Sequence, residues 1–184
     1  MRIGYLPFSS NLQHPADRRR FVSFANKFDI KFEVYNSLNR YDIIVLSQAC
    51  DPTHWCSNNN GAKLIYDCAD SYALLKPSTA NYARGIAKYV FRQHKNIVVP
   101  HSKAILKLAK AVDCVVVTTN AMKDVVSGRN QNVFKILDNF EEVNGIRKNS
   151  FELNRPIRIA WEGVGGTLFQ VGLIKNALNH LAAT

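Results

Sequence analysis

Residues 113–119, Asp-Cys-Val-Val-Val-Thr-Thr, are the stretch of sequence that decides the fold. Their apolar run does not alternate with polar residues, which is typical of a strand that is covered on both faces in a parallel sheet. Residues 42–46, Asp-Ile-Ile-Val-Leu, have the same character. The two stretches therefore predict a sheet with helices packed against both of its faces.

The segments on either side of these runs alternate between strand patterns and helix patterns. Further strands are predicted at 2–6, 30–35, 63–67 and 133–137. Helices are predicted from Asp17, as the N-cap, to about Phe28, then over 81–110 with a break near Pro100, and over 121–127. Strands that alternate with helices pair in parallel, so the predicted fold class is α/β, with a Rossmann-like, doubly wound parallel sheet.

The pattern restarts near the end of the chain. Residues 144–155 are polar and predict a linker that follows a first domain, 1–143. Residues 156–184 then contain a strand at 157–161, a glycine-rich turn and a helix. One strand and one helix cannot bury their own faces, so we expect the first β-α unit of a domain that the chain holds only in part. The alternative is that this strand joins the first sheet as its last member.

Composition sets broad limits on function. The chain has 184 residues, of which 47% are hydrophobic and 21% charged, which excludes a disordered or fibrous protein. Lys and Arg number 24 against 14 Asp and Glu, a formal charge of +10 that favours anionic partners without selecting among them. No apolar run approaches the ~18 residues of a membrane span, and no secretory leader is visible. We expect a cytoplasmic protein.

Several sequence signatures of enzyme and metal sites do not occur. No G-x-G-x-x-G follows the first strand, and no P-loop, H-E-x-x-H or G-x-S-x-G motif appears, so the signatures of these nucleotide-binding enzymes, zinc proteases and hydrolases are missing. The four cysteines form no C-x-x-C pair, and Cys68 and Cys114 are predicted to be buried thiols. The five histidines do not fall at metal-binding spacings, so no metal site is predicted.

Ligands of doubly wound sheets bind at the carboxyl ends of the strands, which directs attention to the loops there. Asp67 and Asp70 follow a strand and can accept sugar hydroxyls or act as a base; the alternative is helix capping by Asp70 or Ser71. Three arginines, 18–20, stand near a helix start, where they oppose the helix dipole. They indicate an anion to be bound or carboxylate partners; the alternative is a solvated charged turn.

Two further stretches point to anions. The glycine-rich turn at 163–167 follows a strand and opens a helix, an arrangement that favours a phosphate, although a turn without a ligand has the same pattern. No acidic residue occurs from 71 to 112, whereas basic residues recur at the helical spacing of Arg84, Lys88, Arg92 and Lys95. This predicted basic face is solvated, or it is in contact with anionic lipid or with nucleic acid. The lack of interleaved aromatic residues argues against nucleic acid.

Taken together, these segments resemble the N-terminal half of a GT-B glycosyltransferase of the retaining, family 4-like group. The resemblance runs over nearly the whole chain and rests on the order of its segments and on the character of their residues. Its matching segments are the opening strand 2–6, His-Pro-Ala-Asp-Arg-Arg-Arg-Phe at 14–21, Tyr-Asp-Ile-Ile-Val-Leu-Ser at 41–47, Leu-Ile-Tyr-Asp-Cys-Ala-Asp-Ser-Tyr at 64–72, 111–119, 133–142 and 157–163.

The resemblance implies a two-domain enzyme that transfers a sugar, in polysaccharide biosynthesis, from a nucleotide-sugar donor to a glycan or lipid-linked acceptor. The first domain takes mainly the acceptor and the second mainly the donor, and neither a metal nor a cofactor is implied. By this resemblance Asp67 and Asp70 are the candidate catalytic residues. The candidate substrate-binding residues are Asn11, His14, Arg18 and Arg19, and the candidate donor-phosphate-binding residues are Glu162, Gly163, Gly165, Gly166 and Thr167.

The chain also departs from the family. Its first loop lacks the paired glycines of many members, and the acidic E-x7-E motif of the second domain is not in the chain. We therefore expect a fragment that is inactive alone, with residues 84–110 in peripheral contact with the inner face of an anionic membrane. The alternative is a non-enzymatic Rossmann-like module that binds a nucleotide or a partner protein. Response-regulator-like and epimerase-like domains are weaker alternatives, and the chain lacks the acidic cluster of the former.

Overall fold

A computed structural model of the protein describes residues 1–58, 61–74, 78–97, 100–138 and 171–182. The chain divides into two compact units, residues 1–143 and 144–184. In the second unit the described residues include one α-helix, Lys175–Ala182, which is α7. The predicted strand at 157–161 and the glycine-rich turn lie outside the described residues.

The first unit is built on a sheet in which every described pairing is parallel. The described strands are β1 Ile3–Leu6, β2 Glu33–Val34, β3 Ile43–Leu46, β4 Lys63–Cys68, β5 Cys114–Val117 and β6 Val133–Lys135. They lie in the order β2-β1-β3-β4-β5-β6. The predicted α/β class, with a Rossmann-like, doubly wound parallel sheet, is confirmed.

Helices connect these strands, and side chains cap several of them. The described helices of the first unit are α1 Pro15–Arg18, α2 Phe21–Lys27, α3 Pro52–Trp55, α4 Thr79–Val90, α5 His101–Ala111 and α6 Asn120–Ser127, with a 3-10 turn at Ser71–Leu74. Asp51, Ser78 and Thr119 cap α3, α4 and α6 through their side-chain oxygens. No helix among the described residues has the length and apolar character needed to cross a membrane.

The core lies on both faces of the sheet, as the unbroken apolar runs predict. Ile44 and Leu46 of β3 point into the larger cluster, which also holds Leu64 and Tyr66 of β4. Val45, between them, points to the opposite face and packs in a smaller cluster with residues of β1. Successive strand residues face opposite sides, so a strand covered on both sides needs apolar residues at every position.

The structure corrects the predicted first helix and one cysteine. Asp17 is not an N-cap: His14 caps α1, and Asp17 is fully buried within it. The chain then leaves helical geometry at Arg20 before α2 begins, so the single predicted helix is two. Cys114 is half-buried rather than buried, while Cys68 is buried as predicted. All four cysteines are free thiols.

Candidate functional site at the carboxyl edge of the sheet

The strand order places a topological switch point at the carboxyl ends of β1 and β3. From β1 the chain moves outward to β2, and it then returns to the other side of β1 to form β3. The connections that leave β1 and β3 therefore diverge and leave a crevice, which is where doubly wound sheets bind ligands. The loop 7–14 and the loop 47–51 border it.

Asp17 holds the first of these loops in place. Its carboxylate accepts hydrogen bonds from the Tyr5 hydroxyl (2.7 Å), the Phe8 amide (2.8 Å), and the amide and hydroxyl of Ser9 (3.0 and 3.1 Å). Burial and the hydrogen bond to Asp17 raise the pKa of the Tyr5 hydroxyl, which stays a donor at neutral pH. The loop after β1 is thus fixed from beneath by one buried carboxylate.

Two predicted substrate-binding residues, Asn11 and His14, are exposed on this loop. The Asn11 side-chain oxygen accepts from the Gln13 amide (3.1 Å), and His14 Nδ1 accepts from the Ala16 amide (3.2 Å). The His14 ring also stacks on Phe8, with ring centroids 4.8 Å apart. Each side chain has a local structural role here, and substrate binding by either stays a prediction.

The arginines at 18–20 have different surroundings. Arg18 Nε donates to the Gln13 carbonyl oxygen (3.2 Å), and Arg19 is exposed. Arg20, which the sequence did not single out from the other two, is buried. Its guanidinium lies between two carboxylates, Asp67 at the end of β4 and Asp138 beyond β6. For Arg20 the structure therefore favours carboxylate partners over a bound anion.

The Arg20–Asp67–Asp138 network joins distant parts of the carboxyl edge. Arg20 Nε lies 2.8 and 2.9 Å from the two Asp67 oxygens, and Nη2 forms a further bond to Asp67. Nη1 lies 2.6 Å from Asp138 Oδ1. Burial raises the pKa of Asp67, and the Arg20 guanidinium opposes that rise. Asp67, a predicted catalytic residue, is thus engaged in an ion pair, and its catalytic role stays a prediction.

Asp70, the second predicted catalytic residue, has an exposed side chain, and its backbone is held by hydrogen bonds. Its amide donates to Gln48 Oε1 (2.7 Å), and its carbonyl accepts from Gln48 Nε2 (3.0 Å). This paired bond ties the loop after β3 to the loop after β4. The Asp70 carboxylate therefore faces solvent at the carboxyl edge, and whether it acts in catalysis stays a prediction.

A cavity of about 450 Å³ lies beside these two loops, between α4 and α5. We call it the α4–α5 cavity; its polar lining includes Gln48, Asp51, Tyr72, Arg84, Lys88, His94, His101 and Ser102. The predicted basic helical face is wrong in part, because α4 ends at Val90 and Arg92 has a left-handed φ of 56°. Arg84 and Lys88, one turn apart on α4, line the cavity.

A larger hollow of about 800 Å³ lies elsewhere and is more open. It is lined by Arg2, Gly61 and residues 37–42, which precede or adjoin the starts of β1, β3 and β4. Ligands of doubly wound sheets bind at the opposite, carboxyl ends of the strands. Position therefore favours the carboxyl edge over this larger hollow as the candidate site.

The predicted donor-phosphate residues Glu162, Gly163, Gly165, Gly166 and Thr167 lie outside the described residues. Within the described ranges, no group of three or more His, Cys, Asp or Glu side chains is placed to hold a metal ion. Comparisons of the chain with protein-family models, with curated proteins and with solved structures found no match. The fold and the site geometry are therefore what the functional argument has to rest on.

Sequence reasoning missed the residues that organise this edge. Arg20 and Asp138 carried weak signals, because one ends an arginine run and the other follows the last strand predicted for the first domain. Gln48, His94 and His101 carried none, since a lone glutamine or histidine between apolar segments has no characteristic spacing. Their roles depend on which loops the sheet order brings together.

Proposed function

We propose that this chain is the acceptor-side part of a glycosyltransferase that moves a sugar from a nucleotide-sugar donor to a glycan or lipid-linked acceptor. The observation that carries the proposal is that exposed polar side chains follow β1 and β4 at the carboxyl edge of a Rossmann-like sheet. Asn11, His14 and Arg19 are exposed on one side of that edge and Asp70 on the other. Carboxylate, amide and guanidinium groups are the partners that sugar hydroxyls and their anionic substituents require.

Binding to this chain is the sharpest test, because the proposal expects little turnover without a complete donor domain. Amide resonances would be followed while a panel of oligosaccharides and lipid-linked sugars is added. We expect saturable shifts at Asn11 and Asp70, and weaker binding in Asp70→Asn and Arg19→Ala. Arg40→Ala is the matched control, since Arg40 is exposed at the amino edge. Failure of every glycan to shift the carboxyl edge would overturn the proposal.

A second candidate is a binding module without chemistry. Its support is the pairing of Asp67 with Arg20, which occupies one of the two predicted catalytic carboxylates. The two candidates separate when a donor domain is supplied as a separate chain together with nucleotide sugars. Product formation that Asp70→Asn abolishes favours the transferase, whereas binding without product under all donors favours the module.

We further propose that α4 contacts an anionic membrane. Its exposed apolar side chains, Ile86, Tyr89 and Val90, with Phe91 at its C-cap, lie on the same helix as Arg84 and Lys88. Apolar and basic side chains on one surface helix favour binding to anionic lipid. We expect Phe91→Ser to reduce co-sedimentation with anionic vesicles, and Phe134→Ser, an equally apolar exposed site on β6, to leave it unchanged. Binding that is equal on neutral vesicles would contradict the electrostatic part.

A further inference from the structure

The α4–α5 cavity has the composition of an anion site. Two loops at the carboxyl ends of β3 and β4 supply Gln48 and Tyr72, α4 supplies Arg84 and Lys88, and α5 supplies His101. Asp51 also lines it, but its oxygens accept from the Thr53 amide (2.8 Å) and hydroxyl (2.7 Å) and from the Lys95 amide (2.8 Å). The Asp51 carboxylate is thus held by three donors. Its charge still acts on Lys88 and His94, but the two cations outnumber it.

The two cations crowd each other. Arg84 and Lys88 are four residues apart on α4, where side chains are neighbours. Burial and the Arg84 charge both lower the pKa of Lys88. Like charges held one turn apart destabilise a helix. A bound anion would remove that cost, which a cation would increase.

Two histidines at the same cavity have unsatisfied ring nitrogens. His94 is 7% exposed, and the buried Nδ1 atoms of His94 and His101 have no hydrogen-bond partner among the described residues. Their rings lie roughly parallel, with centroids 6.1 Å apart. A buried polar atom without a partner is destabilising, so two such atoms at one cavity favour an occupant that hydrogen-bonds to them.

The start of α5 adds to the positive potential. This 11-residue helix begins at His101, and its N-cap, Pro100, makes no side-chain capping bond. The first amides of a helix carry a partial positive charge and bind phosphate or carboxylate groups. His101 and Ser102, the first two helical residues, both line the cavity. Helix terminus, paired cations and unsatisfied imidazoles therefore converge on one space.

We propose that the α4–α5 cavity is a binding site for a phosphate group, held by Arg84, Lys88, His94 and His101. The phosphate belongs either to a soluble ligand or to a lipid headgroup, and the chemistry that binds it is the same. The site does not depend on sugar transfer, so it can exist if the proposed function fails. If the proposed function holds, it is where a phosphorylated acceptor would be anchored.

The test uses the full chain with isotope-labelled histidine and inorganic phosphate at pH 7, at constant ionic strength. We expect saturable shifts of the His94 and His101 ring signals, with a dissociation constant of about 1 mM, while His14 and His180 stay unchanged. Removing one charge–charge contact weakens binding roughly tenfold, so Arg84→Gln should do so and Arg84→Gln/Lys88→Gln should abolish it.

Lys110→Gln is the matched control, because it removes the same charge from the exposed last turn of α5. It should bind phosphate as the parent chain does, and thermal melts verify that all variants fold. Shifts that never saturate, that appear equally at His14 and His180, or that Lys110→Gln reduces as much as Arg84→Gln would overturn the proposal.

A second arm identifies the source of the phosphate. Vesicles of neutral lipid with added phosphatidic acid are mixed with the chain, and inorganic phosphate is used as the competitor. If inorganic phosphate displaces the parent chain from the vesicles but has no such effect on Arg84→Gln/Lys88→Gln, the site binds a lipid headgroup. Phosphate binding that persists without any effect on vesicle binding assigns it to a soluble phosphorylated ligand.

Discussion

At the scale of single residues, the fold depends on a few charged side chains buried at the carboxyl edge. Asp17 is fully buried and Arg20 is 7% exposed. Each is tolerated because its charge is satisfied, by four donor groups in the first case and by Asp67 and Asp138 in the second. Charged side chains at such depth are costly unless they are paired. Removing one partner should therefore lower the free energy of unfolding by more than the energy of that partner's own contacts, because it leaves the other charge buried and unpaired.

Arg20→Ala should lower the free energy of unfolding by about 3–5 kcal/mol, because it leaves the Asp67 carboxylate buried without its cation. Urea denaturation measures the loss. Arg19→Ala, at the exposed neighbouring position, should change stability by less than about 0.5 kcal/mol. In Arg20→Ala/Asp67→Ala the loss should be smaller than the sum of the single losses; strictly additive losses would show that the two side chains are not coupled.

His101 makes stability depend on pH. Burial, followed by the charges of Lys88, His94 and Arg84, lowers the pKa of His101 from 6.5 to about 4, while Asp51 faces the same cavity with opposite charge. The unfolded chain therefore binds a proton at this residue more readily than the folded chain does. The contribution of neutral His101 to the free energy of unfolding is complete above about pH 6.5 and is lost as the pH falls toward about 4.

Thermal melts from pH 7.5 to pH 4.5 check this sign. The parent chain should lose stability on acidification by more than His101→Asn does, because asparagine has no proton to take up. Other titrating groups are common to both chains and cancel in the comparison. If stability falls with pH equally in the two chains, His101 is not the cause of the pH dependence.

At the scale of elements, periodicity predicted strands that are central and missed elements that are short. The runs at 42–46 and 113–119 became β3 and β5 because burial on both faces leaves an unambiguous pattern. The alternating segment 30–35 contains only the two-residue strand β2, at the edge, where one neighbour rather than two fixes its length. The single turn α3 was missed because four residues span only one helical period, so no pattern repeats along them.

The candidate site was predicted less completely than the strands. Asp70 lies just beyond β4 as predicted, whereas Asp67 is inside the strand as its next-to-last residue. Their partners Arg20 and Gln48 come from other connections, 47 and 22 residues away. Such pairings are set by the order of the strands in the sheet, and neither local propensity nor residue spacing carries that information.

Gly4 is required by the packing of β1 against Tyr41. A Cβ atom at residue 4 would lie 2.9 Å from Tyr41 Cε1, and that ring is held by its hydroxyl, which accepts from the Asn36 amide (2.9 Å). Gly4→Ala should therefore destabilise the chain by about 1–3 kcal/mol. Gly128→Ala is the control: its φ of −69° suits any residue, and its nearest contact is 3.7 Å away. Equal melting temperatures for both variants would contradict this packing argument.

At the scale of the first unit, the strands differ in how well neighbours protect them. Among the described strands, β1, β3, β4 and β5 each lie between two others, whereas β2 and β6 each have one neighbour. Amides that only global unfolding exposes exchange slowest, and edge elements open locally. The order of protection therefore follows from the order of the strands, which the sequence alone did not supply.

Hydrogen exchange measures this order directly. The amides of Val45 and Tyr66 should exchange at the rate set by global unfolding, with the same urea dependence. The Val34 amide in β2 should exchange orders of magnitude faster, with little urea dependence. Equal protection of Val34 and Tyr66 would mean that the sheet opens as one body.

The Arg20–Asp67–Asp138 network also bears on how the chain is made. Its three members come from the beginning, the middle and the far end of the first unit, and Asp138 lies 118 positions after Arg20. During translation the guanidinium meets Asp67 long before the second carboxylate leaves the ribosome. A nascent chain halted short of Asp138 therefore lacks the contact that ties the end of β6 to Arg20 beneath the ligand-facing loops.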